Sequence, residues 1–357
     1  MRYLRLWGLS GVASFALIWA WTAYMPMAFM DAEYPSWRAK QILLDRCDLG
    51  PAIVLGDSRA AAGIVPALMG VHVTNLAVGG GEPIEAVAAL TRVLACPIRP
   101  RLAIVSFDPD HFTEPDLFWE RSVRFGAMTA GDIAALRAVS LQTGDLSVYG
   151  RQHSGLPLIV RDWLYEKRFP PLYFSSLLHG GGFLRWSANR RGLDAALASR
   201  GQYYFGSASG SHAVAVDGHM ETFQPLPVLD RYFSELLALL DKNEIETVFV
   251  AMPTNDATWE QIRPAVRGQF AAYLAGYERR YPHFRVASEI TPHWPDRYFG
   301  DRFCHLNPEG AERFSAGLAQ RLHDAPPRTQ NEAQKAWLSD TGADASARVV
   351  PISKRGS

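Results

Sequence analysis

The stretch Ala52-Ile53-Val54-Leu55-Gly56-Asp57-Ser58-Arg59 decides the fold of this chain. An apolar run that stops at a glycine and continues into polar residues indicates a short buried strand that turns into a helix. In an open α/β sheet, such a turn lies at the carboxyl edge, where these folds place their active sites. The Ser58 hydroxyl is a weak nucleophile until a base removes its proton. A serine mechanism therefore needs a histidine and an acid elsewhere in the chain.

Residues that would complete a serine mechanism lie near the other end of the folded region. Asp301 is followed by His305-Leu306-Asn307-Pro308-Glu309-Gly310. We interpret Ser58 as the nucleophile, His305 as the general base and Asp301 as the acid that orients the base. The competing interpretations are structural. Ser58 would be a helix N-cap and His305 a surface residue at the start of the last helix, although Asn307 and Pro308 already supply that start.

Short apolar runs alternate with helical stretches along most of the chain. The predicted strands are Ala52–Leu55, Val71–Asn75, Leu102–Phe107, Thr247–Met252 and Phe284–Ala287. The predicted helices are Glu82–Leu94, Val228–Lys242, Thr258–Arg280 and Pro308–His323. This alternation predicts an α/β fold with three layers, in which a flavodoxin-like parallel sheet lies between helices on both faces.

The alternation is interrupted between residues 112 and 225, a stretch too long for a simple connection. It is rich in aromatic residues, which are more typical of a core than of a sugar-binding platform. We predict a mostly helical insertion over residues 112–225 that shapes access to the site. The catalytic domain is then formed by residues 51–111 and 226–324. The composition after residue 324 lacks periodicity and predicts a disordered tail over residues 325–357.

The N-terminal segment predicts a membrane anchor. Residues 6–30 include no charged side chain, and Arg2 and Arg5 precede them. A helix of this length crosses a hydrocarbon layer of about 30 Å, and the basic flank indicates that residues 1–5 stay in the cytoplasm. Residues 31–50 would form a connector to the exported domain. A cleaved signal peptide is the alternative, but its apolar core would be unusually long and no clean cleavage site follows.

Charge and cysteine content restrict the function further. The chain has 36 basic and 36 acidic residues and no basic stripe, so we predict no nucleic-acid partner. Three cysteines are an odd number for an exported protein. Cys47 and Cys96 each precede a predicted strand. If those strands are neighbours, the two cysteines could form a disulfide, and a pair of free thiols is equally compatible with the sequence. Cys304 is the thiol left over.

The polar residues that follow the first and the third predicted strands have several interpretations. Asp108, Asp110 and His111 resemble metal ligands, but further histidines at ligand spacing are missing. We predict no metal and no cofactor, and interpret these three residues as a solvated loop or as an anchor for the insertion. Arg59 would bind an anionic group of the substrate or form a structural ion pair. Asp57 is interpreted as a hydrogen-bonding turn residue.

Three blocks of the sequence resemble the SGNH or GDSL hydrolase superfamily, whose signature includes Gly-Asp-Ser, a glycine after the second strand, an asparagine after the third and Asp-x-x-His near the end. Gly56-Asp57-Ser58 matches the first block, Asn75-Leu76-Ala77-Val78-Gly79-Gly80 the second, and His305-Leu306-Asn307-Pro308-Glu309-Gly310 the last. The resemblance covers about Ala52 to Leu322 without the insertion. It implies that the backbone N–H groups of Ser58 and Gly80 bind an oxyanion.

The chain departs from this pattern in two places. Asp301 precedes His305 by four positions instead of three, with Arg302 at the family's place for the acid. No asparagine follows the third predicted strand, and Asn255, after a later strand, is the stand-in for the missing oxyanion donor. Loss of one such side-chain donor typically costs about 2.7–4 kcal/mol of barrier lowering.

The predicted anchor, the exported domain and the two motifs together resemble one subgroup of the superfamily. Its members are membrane-tethered periplasmic proteins that act beside a membrane-bound O-acyltransferase in modifying alginate, cellulose or teichoic acid. The resemblance implies an inner-membrane protein that transfers an acyl group, expected to be acetyl, to an exported polysaccharide through Ser58. An exported carbohydrate esterase, with water as acceptor, would use the same residues. A third alternative is a non-catalytic scaffold that binds a polysaccharide or a membrane partner.

Overall fold

A parallel sheet of five strands forms the centre of the structure, a computed structural model that describes residues 2–115, 117–149, 158–179, 185–287 and 292–324. The strands lie in the order β2-β1-β3-β4-β6. Their bounds are β1 (Ala52–Gly56), β2 (Val73–Asn75), β3 (Leu102–Ser106), β4 (Glu246–Phe249) and β6 (Phe284–Val286). A second small parallel pair joins β5 (Thr254–Asn255) to β7 (His293–Trp294). The predicted α/β class and parallel sheet are confirmed, and the strand order is the doubly wound one.

Both faces of the sheet are buried. In β1, Ile53 and Leu55 contribute to one apolar core and Ala52 and Val54 to the other, because successive side chains of a strand point to opposite faces. A parallel sheet needs helices on both faces to cover such strands. This requirement explains why β1 is a continuous apolar run rather than an alternating one.

The helices fall into a layer on each face of the sheet and a group between the third and fourth strands. Their bounds are α1 (Arg2–Tyr24), α2 (Pro26–Phe29), α3 (Tyr34–Asp45), α4 (Ser58–Gly63), α5 (Pro83–Leu94), α6 (Ala130–Thr143), α7 (Leu158–Glu166), α8 (Phe174–His179), α9 (Trp186–Ala198), α10 (Val216–His219), α11 (Pro227–Lys242), α12 (Asp256–Gln261), α13 (Pro264–Arg280) and α14 (Pro308–Asp324). Helices α5, α11 and α13 cover one face, and α4 and α14 cover the other.

One predicted helix is two helices in the structure. The stretch Thr258–Arg280 was expected to be continuous, but α12 ends at Gln261 and α13 begins at Pro264. Proline has no backbone N–H and disfavours helical geometry in the residue before it. Arg263 is accordingly extended, and the proline takes the first position of α13, where its missing donor is not needed.

The N-terminal helix α1 is long and apolar enough to cross a membrane or to serve as a signal sequence. It ends at Tyr24, before Pro26, and is therefore shorter at its C-terminal end than the predicted segment 6–30. Phe29 and Met30 are fully buried in a cluster with Trp37, so they belong to the folded domain. Helix α3, in the expected connector, is also buried along most of its length because α9 packs against it.

Cys47 and Cys96 form a disulfide with a Cα–Cα distance of 5.6 Å. The two residues precede β1 and β3, which are neighbours in the sheet. The sequence left this pairing open, and the structure resolves it. The predicted disordered tail, residues 325–357, lies outside the described residues.

Candidate active site

The turn after β1 places Ser58 at the first position of helix α4. Asp57, not Ser58, is the N-cap: its Oδ1 accepts hydrogen bonds from the N–H groups of Arg59 at 2.9 Å and Ala60 at 3.2 Å. The helix-cap interpretation of Ser58 is therefore wrong, because Asp57 already caps the N-terminus of α4. The Ser58 side chain is left to line a cavity at the carboxyl edge of the sheet.

Asp57 also joins the ends of two strands. Its Oδ2 accepts a hydrogen bond of 2.8 Å from the N–H of Asp108, just after β3. A Cβ on Gly56 would lie 2.0 Å from the carbonyl oxygen of Ser106, so only glycine allows this approach. The expected role of Asp57 as a hydrogen-bonding turn residue is what the structure shows.

Asp301 and His305 form a hydrogen-bonded pair in spite of their unusual spacing. Asp301 Oδ2 lies 2.6 Å from His305 Nδ1, and Oδ1 accepts hydrogen bonds from the N–H groups of Phe303 and His305. Cys304 takes a left-handed conformation with φ of 61°, which closes the turn over the extra residue. Burial raises the pKa of the Asp301 carboxyl. The hydrogen bond and charge of His305 outweigh burial, and the net pKa lies below its usual value.

Aromatic side chains hold the His305 ring in place. Phe205, from the insertion, stacks on the imidazole with a centroid distance of 4.4 Å, and Phe303 lies 6.0 Å away. The insertion can come this close because the backbones of Gly206 and Gly300 touch: a Cβ on Gly206 would lie 2.4 Å from the Gly300 oxygen. Stacking and the Asp301 hydrogen bond together fix the orientation of the ring.

Gly80 lies on the loop after β2 and lines the same cavity. Its φ of +65° is in the left-handed region, and a Cβ there would lie 2.9 Å from Leu117 Cδ1. The positive φ favours glycine here, and Leu117 would have to move to admit a Cβ. Among the described residues, neither the Ser58 N–H nor the Gly80 N–H has a hydrogen-bond acceptor in the protein. Both residues line the cavity, so these two N–H groups are candidate donors to an oxyanion.

The cavity that these residues share has a volume of about 500 Å³. Its lining includes Ser58, Arg59, Gly80, Glu82, Asp110, His111, Leu117, Arg121, Phe205, Asp301, Phe303 and His305. The His305 Nε2 atom is buried and has no hydrogen-bond partner, so the Ser58 hydroxyl is not bonded to it here. Such contacts often tighten only when a substrate binds. The structure thus brings Ser58, Gly80, Asp301 and His305 together around one space.

Arg59 is the centre of a buried ion-pair cluster. Its Nε lies 2.7 Å from Asp108 Oδ2 and its Nη1 lies 2.6 Å from Asp217 Oδ2. Nε is also 3.2 Å from the carbonyl oxygen of Phe303, which connects α4 to the turn that carries His305. Of the two interpretations of Arg59, the structure supports the ion pair. The assignment as a substrate ligand is corrected, because the guanidinium already has protein partners.

Three carboxylates surround this guanidinium. Ligand oxygens of Asp108, Asp110 and Asp217 lie within 4.8 Å of one another. Burial raises the pKa of Asp217 to about 6 and that of Asp108 well above its usual value, although Arg59 opposes both shifts. Arg59 neutralises part of this charge and ties β3 and the insertion to the nucleophile helix. Asp108 therefore helps to anchor the insertion, one of the two roles expected from the sequence.

Asn255 does not face the cavity. Its side-chain amide donates hydrogen bonds to the carbonyl oxygens of Ser211 at 2.7 Å and Ala213 at 2.9 Å. Its Oδ1 accepts from the N–H of Thr258 and so caps α12. Both amide hydrogens are used within the protein, and the prediction of Asn255 as an oxyanion donor is wrong.

The free thiol of Cys304 is buried beside Asn255 and Thr258, with Sγ 3.2 Å from Asn255 Oδ1. Burial raises the pKa of this thiol. A thiol that remains protonated is a poor nucleophile. This environment does not favour a catalytic role for Cys304.

Comparison with known proteins gives no family assignment: no protein-family model, no curated protein and no solved structure matches this chain. The function must therefore be argued from the geometry of the cavity.

Sequence reasoning missed several residues of the cavity and its support, including Phe205, Arg121 and Asp217. All three belong to the insertion, which has no motif that fixes its distance from the serine turn. The only available signal was the aromatic run Tyr203-Tyr204-Phe205, which is also compatible with a core. Long-range packing decides such contacts, and one sequence does not reveal it.

Proposed function

We propose that this protein is a serine-dependent O-acyltransferase of the SGNH type that transfers an acetyl group to an exported polysaccharide. One observation carries this proposal: the Ser58 turn, the His305–Asp301 pair and the Gly80 loop line a single cavity at the carboxyl edge of a parallel sheet. The order of these blocks along the chain resembles that of the SGNH superfamily, and this resemblance supports the proposal. The spacing of Asp301, which departs from the family pattern, is accommodated by the turn at Cys304.

In the first half-reaction, Ser58 Oγ attacks the carbonyl carbon of the acyl donor while His305 Nε2 accepts the hydroxyl proton. The new imidazolium is stabilised by Asp301. The tetrahedral oxyanion lies against the N–H groups of Ser58 and Gly80. When this intermediate collapses, His305 returns the proton to the leaving group, and the acetyl group stays on Ser58.

In the second half-reaction, a sugar hydroxyl gives its proton to His305 Nε2 and attacks the acyl-serine. Collapse restores the Ser58 hydroxyl and releases the acetylated glycan. Transfer competes with hydrolysis, so the site must admit a sugar while limiting water. The insertion provides Phe205 and Leu117 at the cavity wall. In this proposal, these apolar side chains limit the access of water.

The membrane location is part of the proposal. Helix α1 would anchor the protein in the inner membrane, with the domain in the periplasm and a membrane-bound O-acyltransferase as the acyl source. Burial of Ala28, Phe29 and Met30 in the domain supports an uncleaved helix, because cleavage after Ala28 would remove a residue of the core. The contact between α1 and the turn after α7 gives further support.

Acetyl transfer can be tested on the full chain in detergent with an activated acetyl ester. We expect a single acetyl adduct by intact mass, absent in Ser58→Ala and present in Ser209→Ala, a matched control at an exposed serine. The adduct should turn over faster with an acceptor polysaccharide than with water. Turnover by water alone would favour the esterase. Absence of any adduct, including with membranes that contain the acyltransferase, would favour the scaffold.

A further inference from the structure

Helix α7 of the insertion exposes apolar side chains and buries a carboxylate. Its apolar residues Ile159 and Trp163 are 65% and 47% exposed. Asp162, between them in sequence, is buried against Arg137. A helix on the surface of a water-soluble domain shows the opposite arrangement, with its apolar stripe facing the core. Tyr165 of the same helix packs in the main core, so α7 carries apolar side chains on both sides. The exposed ones indicate that part of its outer face is not in contact with water.

Helix α8 repeats this arrangement. Phe174 and Leu178, four residues apart and therefore on one face, are 59% and 62% exposed. Ser176 is buried. Trp186, at the start of α9, is also exposed. Exposed apolar side chains scattered singly are ordinary, but a group of them on adjacent helices marks an interaction surface. We call Ile159, Trp163, Phe174 and Leu178, all on the segment 158–179, the apolar face.

The apolar face adjoins the anchor helix α1. The Trp163 ring lies 6.3 Å from the Trp19 ring, and Trp19 Nε1 donates a 2.7 Å hydrogen bond to the carbonyl oxygen of Lys167. Phe169, in the turn between α7 and α8, contacts both Trp19 and Phe15. The segment 158–179 is therefore attached to the side of α1, below the end of that helix.

The position of these contacts along α1 indicates how deep in the membrane the apolar face would lie. A helix rises about 1.5 Å per residue, so Trp19 lies about 7.5 Å below Tyr24, the outer end of the apolar helix in this orientation. Helices that lie in a membrane interface bury their apolar face about 5–10 Å into the boundary between headgroups and acyl chains. The apolar face is thus level with the outer boundary of the lipid, if α1 spans the membrane.

We propose that the apolar face lies in the outer leaflet of the membrane, with Ile159, Phe174 and Leu178 among the acyl chains. This inference rests on the proposed membrane span of α1 and does not depend on the acyltransferase activity. Continuity with α1 identifies the lipid bilayer as the occupant, because α1 itself is exposed along almost its whole length. Arg168, which donates to the carbonyl oxygen of Ala23, is placed at the level of anionic headgroups.

The proposal can be tested with the full chain reconstituted in vesicles of phosphatidylethanolamine and phosphatidylglycerol. Phe174→Cys and Leu178→Cys are labelled with a fluorophore, and a lipid that carries a quencher in its acyl chain is added. Leu141→Cys is the matched control, since Leu141 is 62% exposed like Leu178 but belongs to α6. The native cysteines are in a disulfide or buried and give a low background. Ile159→Cys supplies a second reporter if the α8 variants fail to fold.

We expect the labels at positions 174 and 178 to lose most of their fluorescence and the label at position 141 to keep it. Equal fluorescence at all three positions would overturn the proposal. Labels that are unquenched in vesicles but shielded from soluble quencher in native membranes would also overturn it, in favour of a protein partner on this face. None of these readouts measures catalysis, so failure here is distinguishable from failure of the proposed function.

Discussion

The two edges of the sheet each carry a cavity, and the larger one is not the candidate site. The cavity at the amino edge has a volume of about 780 Å³ and is lined by His72, Arg99, Arg101 and Arg200. The cavity at the carboxyl edge measures about 500 Å³. Arg200 is paired with Asp48, and Arg99 with the Asn243 side chain. At the amino edge, these two arginines therefore have protein partners, although Arg200 Nε is buried without a hydrogen bond.

At the carboxyl edge, in contrast, the described residues leave reactive groups without partners. His305 Nε2 is buried and unbonded, and the N–H groups of Ser58 and Gly80 have no acceptor. Unpaired buried polar groups cost free energy, so they are kept where a ligand or a reaction uses them. The comparison teaches that the kind of unpaired group, a potential base beside two backbone donors, identifies the site better than volume does.

The largest loss of activity is expected when either of the two reacting residues, Ser58 or His305, is replaced. Ser58→Ala and His305→Ala should each lower kcat by at least about a thousandfold, because nucleophile and base act as a unit. The rate is measured with an activated acetyl ester, and thermal unfolding should change little. If the double variant Ser58→Ala/His305→Ala loses no more activity than either single variant, the nucleophile and the base act as a unit. Substantial activity in Ser58→Ala would contradict the account.

Asp301→Asn should lower kcat/KM by about a hundredfold to ten-thousandfold, since an amide favours the wrong tautomer of His305. Its Oδ1 can still accept the two backbone hydrogen bonds, so the turn should remain folded. Steady-state kinetics measure the loss, and Arg302→Gln is the control at the adjacent position. Equal rates for Asp301→Asn and Arg302→Gln would contradict the role of Asp301.

Asn255→Ala should affect stability rather than catalysis. The change removes an N-cap and two hydrogen bonds to backbone carbonyls, and the free energy of unfolding should fall by about 2–4 kcal/mol. Asn255→Ser keeps a capping oxygen and should lose less. Denaturant unfolding measures both. A large loss of kcat with unchanged stability would instead restore Asn255 as an oxyanion donor.

Lys40, on α3, is buried and donates hydrogen bonds to Ser36 and to the carbonyl oxygen of Ala77, near the Gly80 loop. Burial lowers the pKa of Lys40 from 10.5 to about 7. Between these values the unfolded chain binds more protons than the folded one, so the contribution of Lys40 to stability should rise with pH. The unfolding free energy of the wild type minus that of Lys40→Met should therefore increase from pH 7 upwards. A decrease over this range would contradict the burial of an ionisable amine.

The smallest effect is expected at the amino edge. Arg101 is exposed on the rim of the larger cavity, and Arg101→Ala should leave kcat/KM unchanged and shift the unfolding free energy by no more than about 0.5 kcal/mol. The same kinetic and denaturant measurements apply. A loss of acyl transfer in this variant would show that the amino-edge cavity takes part in function, and the contrast between the edges would fail.

The sheet and the residues at its carboxyl edge could be predicted because they depend on local patterns. The apolar run before Gly56 specifies a buried parallel strand, and glycine, serine and histidine occur in blocks whose order follows the strands. The pairing of Asp301 with His305 was predicted, but how the turn accommodates the extra residue was not. A sequence does not show that Cys304 adopts a left-handed conformation. The partners of Arg59 were also hidden, because Asp217 reaches it from the insertion through packing alone.

The apolar face of α7 and α8 could not be predicted for a related reason. Its apolar residues are compatible with a buried core until their outward direction is seen.

The central claim is that Ser58 is an activated nucleophile. The most direct test is to label the full chain with a fluorophosphonate and to map the modified residue by peptide mass spectrometry. The account predicts one adduct, on Ser58, that is lost in Ser58→Ala and strongly slowed in His305→Ala. An unmodified Ser58, or labelling that does not depend on His305, would contradict it.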